Sequence, residues 1–367
     1  MMNPRRGAGY GEHPVRFPSL SPTRASHPRH DRPRRPWKKP FRARGPFIHG
    51  LLGLLLAGGC EATGTDKVIK LAHGLDPAHP VHTAMAFMAD RVAAKSGGRL
   101  RVQIYPSEQL GSEAQTLELL QLGSVGMTKV SAAVLESFAP QYKLFSIPYL
   151  FESREHQFEV LDGPVGEEML RASEPFWLRG VGFYDSGSRS FYTTTRPVRH
   201  PDDLQGMKIR VMASNTGLRM VRAMGGAATP IPMGELYTAL QQGVVDGAEN
   251  NPPTFYFTRH YEVCGYYSLD EHASIPDVLV VGSHQWKRLT PTEQAWLQEA
   301  VDESVALQRR LWEASEREAL AAVQKAGVEV IRPDKAPFEQ QVQPMLREME
   351  NDPHVGDLVK RIRKLRP

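Results

Sequence analysis

Arg189, Arg210 and Asn250 are the side chains of this 367-residue chain best suited to seize a small anion. A guanidinium is a planar fork of donors that stays charged across the physiological range and matches a carboxylate two bonds at a time. Asn250 adds an amide that both donates and accepts, which suits a polyhydroxylated acid. Arg210 lies in the run Met207-Lys208-Ile209-Arg210-Val211-Met212, at the end of an expected strand, where open α/β sheets present their ligand contacts. The plain structural alternatives are an Arg210 paired with Asp202 or Asp203, an Arg189 held in a structural ion pair, and an Asn250 spent on an Asx turn ahead of Pro252.

These groups suit capture better than catalysis. The chain contains no GxSxG, HExxH, CxxC or GxGxxG pattern, no P-loop and no calcium-loop pattern, so the common nucleophile, metal and nucleotide signatures are missing. Neither a cofactor nor a metal is expected. Cys60 and Cys264 are the only cysteines. Cys264 sits among Tyr261, Val263, Tyr266 and Tyr267 and reads as a buried structural thiol.

Positioning these side chains requires a scaffold of alternating strands and helices. Lys67–His73 alternates apolar and polar; His79-Pro80 opens a helix carrying Val81, Met85, Met88 and Val92 on one face; Gly97-Gly98 ends it, and Arg99–Tyr105 alternates again. Ser112 and Gln115 form a capping box ahead of a second helix, followed by a strand at Val125–Val130. Further strands are expected at Gly180–Tyr184, Ser190–Thr194, Lys208–Met212, Asp277–Gly282 and Val328–Ile331. Strands separated by amphipathic helices predict an α/β fold with mostly parallel sheets. Thr290–Ala326 holds one proline, near its start, and no glycine. It reads as one helix about 50 Å long at about 1.5 Å per residue, too long for one ordinary domain, either continuous or broken near Glu313. No internal repeat is evident.

Charge is unevenly spread. Residues 1–46 carry 12 Lys and Arg against 2 Asp and Glu, whereas the remaining 321 carry 33 against 39. The basic leader runs into the short apolar stretch Phe47–Ala57 and then Gly58-Gly59-Cys60, which together make an export signal too short to span a bilayer. Cys60 stands where lipoprotein signals place an acylated cysteine; cleavage near Ala62 is the alternative. A basic segment directly ahead of an apolar core speaks for export and against nucleic-acid binding.

The run DLQGMKIRV, with GELYTALQQGVVDGAENNP, HGLDPAHPVH, GGRLRVQIYPSEQLG and PYLF, resembles the extracytoplasmic solute receptors of tripartite ATP-independent periplasmic (TRAP) transporters, the DctP type, from about Lys67 to Pro344. The resemblance implies a periplasmic-binding-protein-like fold: two α/β lobes joined by a hinge, with a long helix crossing both. Carried onto this chain, lobe one is 66–186 plus 276–312, lobe two is 187–275 plus 313–350, and 351–367 is a tail, either a short surface helix or frayed.

The same resemblance implies a monomeric receptor of the periplasm that takes up a small organic acid and delivers it to membrane permease subunits. Arg210 corresponds to the family's bidentate carboxylate clamp, Arg189 to its second arginine, Asn250 to an amide on the same carboxylate or a neighbouring hydroxyl, and Met233 to a residue packed on the ligand. Glu249 and His272 look like the pair that couples the lobes. From lobe one, contacts are expected around His73 and His79, and from Lys129 or Ser131. Gly126 departs from the aspartate usual in the family. The segments Asn250–Leu279 and Met127–Ser131 look like the branch that binds hexuronates such as glucuronate and galacturonate; other sugar acids, C4-dicarboxylates, sialic acid and 2-keto acids remain open. A secreted enzyme acting on uronates, or a sensory module, are the readings from other classes.

Overall fold

The computed structural model describes residues 66–365. Cys60 and the leader lie outside them, and no helix among the described residues is long and apolar enough to cross a membrane. The chain opens with β1 (Lys67–Ala72), a helix at Pro80–Ser96, β2 (Leu100–Tyr105), a helix at Glu113–Gln121 and β3 (Met127–Ser131). After several short helices it forms β4 (Leu178–Tyr184). It then enters a second sheet with β5 (Arg189–Thr193), β6 (Lys208–Val211), β7 (Ala227–Pro230), β8 (Gly247–Asn250) and β9 (Tyr266–Ala273). It returns to the first sheet with β10 (Asp277–Gly282), and β11 (Glu329–Ile331) ends on the second.

The two sheets share one plan. The first is ordered β2-β1-β3-β10-β4 and the second β7-β6-β8-β5-β9-β11. In each, a parallel strand–helix–strand–helix–strand unit sits with its first strand in the middle, flanked by strands from the crossings between sheets. The expectation of mostly parallel sheets therefore needs correcting. The chain crosses outward from β4 to β5, back from β9 to β10, and outward again along the long helix to β11. Strands β5 and β10, which enter a sheet on the first two crossings, run against both neighbours, so β10/β3, β10/β4, β5/β8 and β5/β9 are antiparallel. A repeat is present after all, in topology: helix Glu113–Gln121, Gly123 and β3 in one sheet mirror helix Met233–Gln241, Gly243 and β8 in the other.

The helices form where the sequence places their signals. Ser112 and Gln115 make the reciprocal capping box, and Thr290 and Glu293 make another at the start of the long helix. That helix, Pro291–Lys325, runs its 35 residues through Glu313 without a break. It packs on the helix Pro80–Ser96 beside the first sheet and on the helix Pro252–Phe257 beside the second. Trp312, fully buried, is its largest anchor. The C-terminal segment is a packed helix, Gly356–Lys364, which buries Leu358, Val359 and Ile362. Gly126 has a steric reason: a Cβ there would stand 2.9 Å from Ile69 Cγ2 and 3.2 Å from Gln285 Cγ, leaving no room for an aspartate.

Under the second sheet, Tyr192, Phe255 and Tyr267 pack into a cluster with Cys264, which is 1% exposed. Burial pushes the Cys264 thiol up to about 12, so the thiolate needed for attack is scarce at neutral pH. In a form beginning at Glu61, the native protein is expected to stay unlabelled by a thiol reagent such as Ellman's and to react with one equivalent in denaturant. Rapid labelling of the folded protein would contradict this burial.

Candidate functional site

A cavity of about 180 Å³ lies between the two sheets. Its wall comes from the carboxyl ends of the parallel strands, Gly74 and Leu75 after β1, Lys129 and Ser131 on β3, Arg210 and Met212 on and after β6, and Asn250 on β8. Of the crossing strands, β5 and β10 run opposite to the parallel units beside them and so contribute their first residues, Arg189 and Asp277. This is the edge where open α/β sheets leave a crevice, because the loops diverge on either side of the central strand.

Arg210 is 3% exposed. Its Nε donates to the carbonyl of Ile231 at 2.7 Å, Nη1 finds no acceptor among the described residues, and no carboxylate lies within ion-pair distance. Burial lowers its pKa below the usual arginine range. Neither Asp202 nor Asp203 pairs with it; Asp203 instead accepts the N–H groups of Arg199 and His200. A buried guanidinium with an unused edge costs free energy, and an anion placed against that edge offsets it.

Arg189 is the opposite case. Its Nε donates to Glu249 Oε2, Nη2 to Glu249 Oε1 at 3.0 Å and to the Glu249 carbonyl at 2.7 Å, and Nη1 to Asn250 Oδ1 at 2.9 Å. Glu249 also faces His272, whose Nε2 lies 3.6 Å from Oε2, while His272 Nδ1 holds Asp270 Oδ2 at 2.8 Å. Burial alone would raise the Glu249 carboxyl, but the Arg189 charge, the Arg189 hydrogen bonds and the nearby His272 imidazole outweigh it and bring it to about 2. Burial alone would lower His272, but Asp270 and Glu249 outweigh it and raise the imidazole to about 9. The Asx turn weighed as the alternative for Asn250 belongs to its neighbour: Asn251 Oδ1 caps the helix Pro252–Phe257 by accepting Thr254 N–H. Asn250 spends its carbonyl on Arg189 and on Asn251 N–H, and its NH2 group remains to donate.

On the opposite wall, Lys129 is 3% exposed and bridges Glu113 Oε1 at 3.1 Å and Asp277 Oδ1 at 3.2 Å. Burial lowers its pKa, but the two carboxylates outweigh that and raise it. Ser131 donates its backbone N–H to Glu113 Oε2 and caps the short helix Ala132–Leu135. Met233 begins the helix Met233–Gln241 and lines the cavity. Six of the eight ligand-contact residues expected from the sequence thus meet around one cavity. His73 and His79 do not reach its wall. His73 Nδ1 accepts Leu75 N–H at 3.1 Å and its Nε2 lies 3.0 Å from His82 Nδ1. His79 caps the helix Pro80–Ser96 and packs its ring against Phe257 and Trp312.

Several functional positions escaped sequence reasoning. Glu108, half-buried, follows β2, lines the cavity and accepts Gly234 N–H at 3.2 Å across the cleft. It supplies the cap that the helix Met233–Gln241 lacks from its own residues, and a Cβ on Gly234 would fall 2.4 Å from Glu108 Oε2. Glu136 likewise sits at the N-terminus of the helix Asn215–Ala223, which Ser214 already caps, and accepts from Thr216 N–H at 3.1 Å and Thr216 Oγ1 at 2.8 Å. Negative charge at helix N-termini is favourable, so both contacts hold the sheets together across the cleft. No local pattern announces partners 126 and 80 residues away.

Two α/β lobes of like topology, joined by crossing strands and enclosing a cavity with a buried, unpaired arginine, define a periplasmic-binding-protein-like solute-binding protein. The sequence pattern of the bacterial extracellular solute-binding proteins, family 7 (DctP), matches residues 71–352, and the chain belongs to that family. A TRAP periplasmic solute-binding protein from Xanthobacter autotrophicus Py2, solved with bound β-D-galacturonate, is 39% identical with a TM-score of 0.78, over 80% of this chain and 98% of that one. One from Anaerococcus prevotii, solved with α/β-D-glucuronate, is 35% identical with a TM-score of 0.79, over 81% of this chain and 97% of that one. The C4-dicarboxylate-binding periplasmic protein of Rhodobacter capsulatus is 29% identical over 82% of this chain and 91% of its own length.

Proposed function

We propose that this protein captures a hexuronate, glucuronate or galacturonate, between its lobes in the periplasm and delivers it unaltered to the membrane permease subunits of a TRAP transporter. The observation that carries this reading is Arg210, a buried guanidinium that lines the cavity with an unsatisfied Nη1 and no carboxylate partner. Arg210 clamps the carboxylate as a fork; Asn250 and the remaining N–H of Arg189 assist; Met233 packs on the sugar, and Lys129 and Ser131 take its far end. The galacturonate- and glucuronate-bound neighbours support this choice of acid. Lobe one is 66–186 plus 276–312 and lobe two is 187–275 plus 313–350. Glu249 and His272 hold the hinge side of the site in register. The protein acts as a monomer, tethered to the membrane through an acylated Cys60 and otherwise free of it.

The test is a thermal-shift and calorimetric screen of the form beginning at Glu61. A ligand bound only to the native state stabilises it by about 4 kcal/mol at a thousand times Kd. Galacturonate or glucuronate is expected to raise Tm and bind one to one without product, while the neutral parent hexoses leave Tm unchanged. Equal shifts with hexose and hexuronate, or turnover of the acid, would sink the reading.

A further inference from the structure

The two walls of the cavity carry opposite charge. On the lobe-two wall Arg189 is neutralised by Glu249, so Arg210 stands as the uncompensated cation. On the lobe-one wall stand Glu108, Glu113 and Asp277, and Lys129 offsets one of these three carboxylates. Acidic residues gathered in a cleft would mean little alone. Here they face a 3% exposed arginine with an unpartnered Nη1 in the same cavity, so the cleft is polarised along the line a ligand must span.

Resting on the hexuronate reading, we infer that Glu108 is a specificity-determining residue: it accepts hydroxyl hydrogens at the far end of the ligand and rejects acids carrying a second carboxylate there. A carboxylate has about four lone-pair sites. One oxygen of Glu108 takes Gly234 N–H from the other lobe, which fixes the group only when the cleft is shut and leaves further acceptor capacity. The backbone holds it there, with Ser107 at φ 54° and Glu108 at φ 56°, both in the left-handed region. A hydroxyl donates to such an acceptor. A second ligand carboxylate repels it while both are ionised, and such like-charge juxtaposition disfavours binding. Glu113 and Asp277 deepen the same field, but their bonds to Lys129 make them poor targets for substitution.

The experiment measures Kd by calorimetry for galacturonate, for the hexarate of the same skeleton, and for the hexonate, which is acyclic like the hexarate but ends in a neutral CH2OH. In the unmodified protein the hexarate is expected to bind at least about tenfold more weakly than the hexonate, from like-charge repulsion. In Glu108→Gln, the hexarate-to-hexonate gap is expected to narrow by about threefold or more while galacturonate weakens. A hexonate as poorly bound as the hexarate would make ring closure the discriminator and overturn the inference, as would a gap that Glu108→Gln leaves unchanged. Glu108→Asp, which keeps the charge, should keep the discrimination. Absence of both galacturonate and glucuronate binding in the unmodified protein would instead remove the hexuronate reading itself.

Discussion

Arg210→Ala is expected to weaken hexuronate binding by about 10 to 100 fold or more, the equivalent of about 1.5–3 kcal/mol for hydrogen bonds to a charged group. The fold itself should tolerate the change, because Arg210 makes one hydrogen bond to the Ile231 carbonyl and no ion pair, so its removal strands no buried carboxylate. A Tm of the ligand-free variant at or above that of the unmodified protein would fit this account, since an uncompensated buried charge is removed. Arg210→Lys keeps the charge and loses the fork, and should weaken binding nearly as far. Calorimetry that found galacturonate affinity unchanged in Arg210→Ala would take the residue out of the site.

The second large effect concerns stability. Glu249→Ala leaves Arg189 and His272 facing each other at full burial without their shared counter-ion, and breaking such a buried pair costs about 3–5 kcal/mol. A fall in Tm on the order of 10 °C is expected for a domain of this size. The network also shapes the pH profile. Glu249, lowered to about 2, contributes stability that is present above the ordinary carboxylate range and is lost as pH falls toward 2. His272, raised to about 9, contributes stability that is full below 6.5 and fades as pH rises through 9. His73 and His260, each lowered to about 3, hold buried neutral rings, and stability drains as pH drops from 6.5 toward 3. Maximum stability is therefore expected near pH 6.5. In His272→Gln the decline between 6.5 and 9 should flatten relative to the unmodified protein. A calorimetric Tm profile with the same alkaline slope in both would contradict the assigned charge on His272.

Local rules made much of this legible in the sequence. Period-two runs marked β1 and β2, apolar runs marked β4, β6 and β10, a capping box marked one helix start, and Arg210 stood at a strand end as its chemistry requires. What escaped depended on direction and distance. Strand direction in the crossings is set by where the chain passes between sheets, which no alternation of side chains records. Glu108 and Glu136 are ordinary acidic residues until the other lobe's helix N-termini arrive against them. His73 and His79 were misplaced because a loop following a strand has two sides. Both histidines turn toward the helix Pro80–Ser96 and its neighbours while Gly74 and Leu75 face the cavity. Arg189 shows the limit most clearly, since one side chain both saturates a structural carboxylate and lines the site.

The 35-residue helix has a mechanical consequence. After Pro291 it holds no proline or glycine, and sharp kinks in helices arise almost only at such residues or at local bulges. It therefore behaves as a stiff spar fastened to both halves of the molecule. When the jaws part, the spar must bow gently over many turns or slip at one mooring, with Trp312 pinned near its middle beside Gly187. An opening that keeps this helix whole is limited to what bowing or slippage allows, which ties the movement of one half to that of the other.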